Sequence, residues 1–176
     1  MPLDGRAQPF GDKAEVVLVP TSSDDESAFG QRPKLTDDFS IEWRLSWNGQ
    51  AYDVFDDEDG ESDEPEGTMA IRKLRGTRHL YVAQFWEPGT SDPLETDNEH
   101  YEYFLMWRLS RHEFIGYLNL FWISDCGEVP KEKLASLGMT KDDIEHCTVH
   151  DWQQVEGVLR AYAKTKPKAD GTMKMK

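Results

Sequence analysis

The sequence predicts an α+β fold that is mainly β: an antiparallel meander of about seven strands, followed by two or three helices that pack on it. Three observations lead to this prediction. Before Ser124, apolar and polar side chains repeatedly alternate with period 2, as in strands. Turn-forming pairs such as Asn48-Gly49 separate these runs. After Ser124 the apolar period changes to that of a helix, so strands come first and a repeated βαβ arrangement is excluded.

The centre of the predicted sheet is a hairpin over His100–Ser124, whose two arms flank the polar link 110–113. Both arms carry apolar side chains on both faces. Strands of this kind have to be covered on both faces. The sheet is therefore expected either to curl, with the terminal helix on its inner face, or to close into a small barrel. The sequence leaves both arrangements open.

The other strands are predicted from shorter patterns. Val16–Val19 is an apolar run ended by Pro20, which favours an edge strand because proline donates no ladder hydrogen bond. A further hairpin is expected from Thr68–Leu74 and His79–Trp86.

The most regular alternation lies in Phe39–Trp47, which predicts a strand with Trp43 inward and Arg44 outward. The pair Asn48-Gly49 tolerates the positive φ angles of a tight turn, so the chain is expected to return through Gln50–Phe55.

Two helices are indicated after the central hairpin. Pro130 is expected to begin a short helix that ends at Gly138. Asp151, with Gln154 three residues later, is expected to cap a longer helix whose apolar face includes Leu159.

The chain is interpreted as one domain over residues 1–163. It includes a loose arm at 1–15 and an acidic loop at 53–67, and a basic disordered tail follows at 164–176. No signal peptide or membrane-spanning run is recognised, so the cytoplasm is the expected location. The formal net charge of -14 argues against binding to nucleic acid or an anionic membrane, because both require a basic surface.

The segment Asp53–Gly67 contains nine acidic residues and no basic residue, which predicts an exposed, self-repelling loop. A calcium loop with Gly60 at its sixth position would place Phe55 at the first ligand position, so no metal is predicted here. The acids are instead the candidate partner-binding residues: Asp56, Asp57, Glu58, Asp59, Glu61, Asp63 and Glu64.

Cys126, His146, Cys147 and His150 are the one concentration of soft metal ligands in the sequence. Their spacing lacks the paired cysteine knuckle of a zinc site. A cysteine–histidine nucleophile pair would need a geometry that the sequence does not establish. We therefore predict that the two thiols lie on the same side of the domain and bind no metal, and we assign no catalytic residue and no cofactor.

The layout after the central hairpin resembles that of small uncharacterised β-rich bacterial proteins. The features that carry the resemblance are Asp125-Cys126, Val129-Pro130, Cys147 with Val149, and a closing helix that ends Leu159–Ala163. It covers about the last 90 residues. It implies no activity, and implies only that the two cysteines are part of the fold.

The sequence favours a non-enzymatic acidic protein that binds a basic protein partner, in the manner of an immunity or regulatory protein. One alternative is a carrier with an apolar ligand inside a closed β-barrel, which requires a cavity lined by aromatic side chains. Another is an enzyme of unrecognised type, which requires a cleft with converging ionisable groups.

Overall fold

The computed structural model describes residues 7–56, 63–86, 101–117, 129–139 and 151–176. Within these ranges the chain forms eight antiparallel strands and two helices. The strands are β1 (Lys13–Pro20), β2 (Ile41–Trp47), β3 (Tyr52–Asp56), β4 (Gly67–Lys73), β5 (Leu80–Trp86), β6 (Tyr101–Ser110), β7 (Glu113–Gly116) and β8 (Gly171–Met175). The helices α1 (Lys131–Ser136) and α2 (Trp152–Lys164) lie between β7 and β8 in the chain. Each strand pairs with the next, and β8 pairs with β1, so the sheet is a closed barrel.

The predicted hairpin around Asn48-Gly49 is confirmed. The Asn48 N–H donates to the Ala51 carbonyl at 2.9 Å, and Gly49 has a φ of 101°. Trp43 belongs to the cluster inside the barrel, whereas Arg44 is exposed on the outside. Alternation along β2 therefore placed both side chains correctly.

Apolar side chains from the strands pack together in the interior of the barrel. The inward positions of the strands form one hydrophobic cluster, and its fully buried members include Val16, Leu45, Tyr52, Val54, Met69, Ile71, Ala83 and Phe114. A barrel of eight strands is just wide enough to be filled in this way. The outward positions of β4 to β7 form a second cluster together with the helices. The described parts of the central strands are thus covered on both faces, as their two-sided apolar pattern predicted, and residues 118–124 of the predicted second arm lie outside the described residues.

Helix α2 packs on the outer wall of the barrel, where Val158 and Leu159 are fully buried. Its predicted cap is confirmed, because the Asp151 carboxylate accepts a hydrogen bond from the Gln154 N–H at 2.9 Å. The inner-face position expected for a curled sheet is not adopted, since strand side chains already occupy the interior.

Helix α1 follows Pro130 and ends before Gly138, which has a φ of 77°, so both predicted boundaries are confirmed. Its end lies close to α2: a Cβ atom placed on Gly157 would be 2.4 Å from the Leu137 side chain. Among the described residues, no helix is long and apolar enough to cross a membrane.

The prediction of a disordered tail over 164–176 is wrong for Gly171–Met175, which forms β8. β8 pairs with β7 on one side and with β1 on the other. Met173 is buried in the interior, while Lys174 is exposed. As a result β1 is not the edge strand that was expected, and Pro20 stands at its last position, opposite Gly171.

Residues 21–40, which we call the strap, connect β1 to β2 and contact the outer wall of the barrel. The Phe29 ring packs against Tyr117 with a centroid distance of 4.6 Å, and the Gly30 N–H donates to the Tyr117 hydroxyl at 2.7 Å. Arg32 donates two hydrogen bonds to Glu113, whose side chain is only 5% exposed. These hydrogen bonds raise the pKa of the Arg32 guanidinium.

Candidate binding surface at the loop end of the barrel

The two ends of the barrel differ in how the strands are connected. At one end, which we call the turn end, short turns at 48–51, 74–79 and 111–112 join successive strands. At the other end, the loop end, lie the strand termini that are joined by residues 21–40, 57–66 and 87–100. The chain also leaves β7 and enters β8 at the loop end. In β-rich folds, binding residues often lie on such long connections held by a rigid scaffold.

Phe10 closes the turn end. It is 3% exposed, and its ring meets Tyr52 at 6.0 Å and Phe114 at 5.7 Å, both in edge-on contacts. The Phe10 N–H donates to the Tyr52 hydroxyl at 3.0 Å. Burial raises the pKa of Tyr52 to about 12. The prediction of a loose arm over 1–15 is therefore wrong for Phe10 and for the start of β1.

A pair of stacked rings closes the loop end. Trp43 on β2 and Phe85 on β5 have a centroid distance of 5.9 Å and an interplanar angle of 15°. Because β3 and β4 separate these strands, the pair spans the barrel. Gly67 on β4 makes room for it, since a Cβ atom there would lie 2.1 Å from the Phe85 ring.

The apolar side chains at this end are only partly covered. Trp43 and Phe85 are half-buried, as are Leu18 and Phe104 in the same cluster. Phe39, just before β2, is 52% exposed and is the one exposed large apolar side chain in the described part of the chain. Exposed apolar surface that is ringed by polar groups often marks a docking site.

Two acid-rich segments are attached at the loop end. Residues 56–66 contain eight acids and residues 87–100 contain five, and neither segment contains a lysine or an arginine. The chain passing from α2 to β8 adds exposed Lys164, Lys166 and Lys168, which the acids outnumber. At the turn end the exposed charges are mixed, because Arg75, Arg78 and Arg111 lie there together with Asp12. The closed topology therefore attaches both acid-rich segments to the same end of the molecule.

The predicted partner-binding residues fall into two groups. Asp56 is the half-buried last residue of β3 and is the register partner of Trp43. Asp63 and Glu64 are exposed just before β4. Asp57, Glu58, Asp59 and Glu61 lie outside the described residues. The acidic loop is shorter than predicted, because Asp53–Asp56 belongs to β3 and Gly67 to β4.

The other candidate sites receive no support from the described residues. Cys126, His146, Cys147 and His150 lie outside them, so the predictions for the thiols stay predictions. Within the described part of the chain, no three His, Cys, Asp or Glu side chains are grouped so that they could hold a metal ion. An open groove of about 400 Å³ lies between β1 and β2, and the side chains lining it include Lys13, Glu15 and Arg44 on the outer wall.

No protein-family model, no curated protein and no solved structure matches the chain. We therefore infer the candidate function from the chemistry and geometry of the chain's own residues. Sequence reasoning placed Trp43 inside the barrel but missed that it stacks on Phe85 at an acidic end. One signal was available: Gly67 stands in an inward strand position directly after the acidic segment, where a missing side chain often permits close packing.

Proposed function

We propose that the protein is a non-enzymatic binding protein that docks on a basic protein partner through the loop end of its barrel. The observation that carries this proposal is the attachment of both acid-rich segments, 56–66 and 87–100, to one barrel end. A partner of opposite charge would be drawn to that end and not to the turn end, where Arg75, Arg78 and Arg111 are exposed.

The composition of this end supports the proposal. Protein interfaces commonly have an apolar centre, often with aromatic side chains, and a polar rim. At the loop end the centre would be Phe39, Trp43 and Phe85, and the rim would include Asp63 and Glu64. The apolar centre would supply contact area, whereas the rim would act mainly on the rate of association, because exposed charges are screened within about 8 Å at physiological salt.

The test distinguishes the effect of the acids at the loop end from the effect of the protein's net charge. A loop variant carries Asp57→Asn, Glu58→Gln and Asp59→Asn. A control variant removes the same number of charges elsewhere, through Asp12→Asn, Glu15→Gln and Glu132→Gln, all at exposed positions. Immobilised wild-type protein captures partners from a lysate of the source cell, and surface plasmon resonance then measures the association rate of each captured protein with all three forms.

We expect a basic partner whose association slows by about tenfold with the loop variant and changes much less with the control variant. The difference should disappear in high salt, and the melting temperatures of all three forms should agree, since exposed charges contribute little to stability. Equal association rates for the two variants, or a partner that is not basic, would contradict the proposal.

A second candidate function is transport of a small apolar ligand. It is favoured by one observation, the closed barrel with half-buried Leu18, Trp43, Phe85 and Phe104 at its loop end. Among the interior side chains, Met69 and Met106 are the most able to rearrange around a ligand. Titration with the dye Nile red, followed by its fluorescence, tests this function. Saturable binding that Phe85→Leu alters and Phe55→Leu on the outer wall does not alter would support a carrier.

A further inference from the structure

Trp43, Phe85 and Asp56 lie together at the apolar centre of the loop end. We propose that they form a recognition site for an arginine side chain of the basic partner, an inference that rests on the proposed function. The guanidinium group would stack on the Trp43–Phe85 pair and donate hydrogen bonds to the Asp56 carboxylate. This site would give the loop end a specific anchor in addition to its overall charge.

The strand register brings the three side chains together. Trp43 and Asp56 are directly opposite each other on β2 and β3. Directly opposite residues of an antiparallel pair have Cβ atoms about 4.5–5.5 Å apart and share one face of the sheet. Phe85 reaches Trp43 from across the barrel, in parallel stacking at 5.9 Å. All three residues are half-buried, so a partner can approach them while part of the surrounding water is excluded.

Arginine fits this combination better than lysine does. Its guanidinium group is planar, stacks on aromatic rings and can donate two parallel hydrogen bonds to one carboxylate. A lysine ammonium is a compact and strongly hydrated charge that gains less from a flat ring surface. Attraction between a cation and a ring is strongest for tryptophan and increases as water is removed.

The molecule itself uses this type of contact elsewhere. The Arg44 guanidinium lies 4.6 Å from the ring centre of Phe55, and that of Arg72 lies 4.8 Å from Trp152. Over the residues that the structure describes, no cation of the chain lies above Trp43 or Phe85. The stacked pair therefore offers a surface that a partner's arginine can occupy.

The test measures a preference and not an overall affinity. The probes are three short, lysine-rich peptides that differ at one central position, which is arginine, lysine or citrulline. Citrulline is a neutral side chain of nearly the same shape as arginine, and lysine keeps the charge. Isothermal titration calorimetry compares wild type with Trp43→Leu and Asp56→Asn. Phe55→Leu, which removes a ring on the outer wall, is the matched control.

We expect wild type to bind the arginine peptide about tenfold more tightly than either of the other two peptides. In Trp43→Leu and in Asp56→Asn the arginine and lysine peptides should bind with about equal affinity. In Phe55→Leu the preference for arginine should persist. The comparison of peptides on wild type stays decisive even if Trp43→Leu does not fold.

Two kinds of failure are distinguishable. If wild type binds the arginine and lysine peptides equally, in a salt-dependent manner, the arginine site is refuted while the acidic docking surface stands. If Asp56→Asn keeps the full preference for arginine, the site is refuted in the same way. If none of the basic peptides binds wild type even at low salt, the proposed function fails, and the arginine site fails with it.

Discussion

Replacing Gly67 with alanine should displace the Phe85 ring and disrupt its stacking on Trp43. An alanine Cβ at this position would lie 2.1, 2.7 and 2.8 Å from three atoms of the ring. Carbon atoms that are not bonded to each other normally keep a separation of about 3.5 Å, so the ring would have to move by roughly 1.4 Å. Phe85 cannot make this movement without changing its contact with Trp43, because the two rings are stacked.

The cost follows from two opposing effects. Inserting a methyl group into a packed position commonly costs about 1–3 kcal/mol. Alanine is favoured over glycine within a strand by roughly 0.5–1 kcal/mol, because glycine loses more backbone freedom on folding. We therefore expect Gly67→Ala to lower the free energy of unfolding by about 1–2 kcal/mol, which is a loss of about 4 °C in melting temperature for a chain of this size.

Urea unfolding monitored by tryptophan fluorescence measures this change. Gly116→Ala is the matched control, because Gly116 also lies at the loop end of a strand. Among the described residues, the atom nearest to a Cβ placed there would be the Gly171 carbonyl oxygen, at 3.9 Å. The control should be neutral or slightly stabilising. In a Phe85→Leu background, Gly67→Ala should cost clearly less than in wild type. A loss for Gly67→Ala no larger than that for Gly116→Ala would refute the steric reasoning.

Three further predictions concern other parts of the molecule. Arg32→Met should lower the free energy of unfolding by about 2 kcal/mol in urea titrations, because it leaves the Glu113 carboxylate buried without the Arg32 guanidinium. Adding Glu113→Gln to this variant should recover part of the loss. No recovery in the double variant would contradict the argument. Tyr52 should ionise near pH 12 in an absorbance titration. Because its pKa is raised in the folded protein, its contribution to stability should be complete below pH 10.0 and should be lost as the pH rises through about 12. Ionisation at the ordinary tyrosine pKa in the folded protein would argue against its burial. Asp151→Ala should lower the free energy of unfolding by about 1 kcal/mol because it removes the cap of α2, whereas Asp151→Ser should retain most of the stability. Equal losses in the two variants would show that the cap hydrogen bond is unimportant.

Features that depend on neighbours in the sequence could be predicted from the sequence alone. The Asn48-Gly49 turn and the Asp151 cap each involve residues within three positions of one another. The inward position of Trp43 followed from alternation along a single strand. The burial of the central strands on both faces also followed from the sequence, because a strand that is apolar on both faces is stable only where both faces are covered.

What the sequence did not reveal depends on pairing between distant residues. β8 closes the barrel by placing Met175 opposite Val16, although some 159 residues separate them in the chain. Met173 and Met175 do alternate with Lys174, but so short a pattern among many lysines equally fits an exposed tail. Local periodicity shows which face of a strand is buried, and it does not show which strand lies beside it.

The candidate site depends on the same closure. The sequence identified the acids Asp56, Asp63 and Glu64 as a group, but it did not place segment 87–100 at the same end. It also did not place Phe85 against Trp43, because these residues belong to strands that are not neighbours in the sheet. Composition determined that the protein is acidic, whereas the topology of the closed barrel decided that both acid-rich segments are attached at the end that carries the Trp43–Phe85 pair.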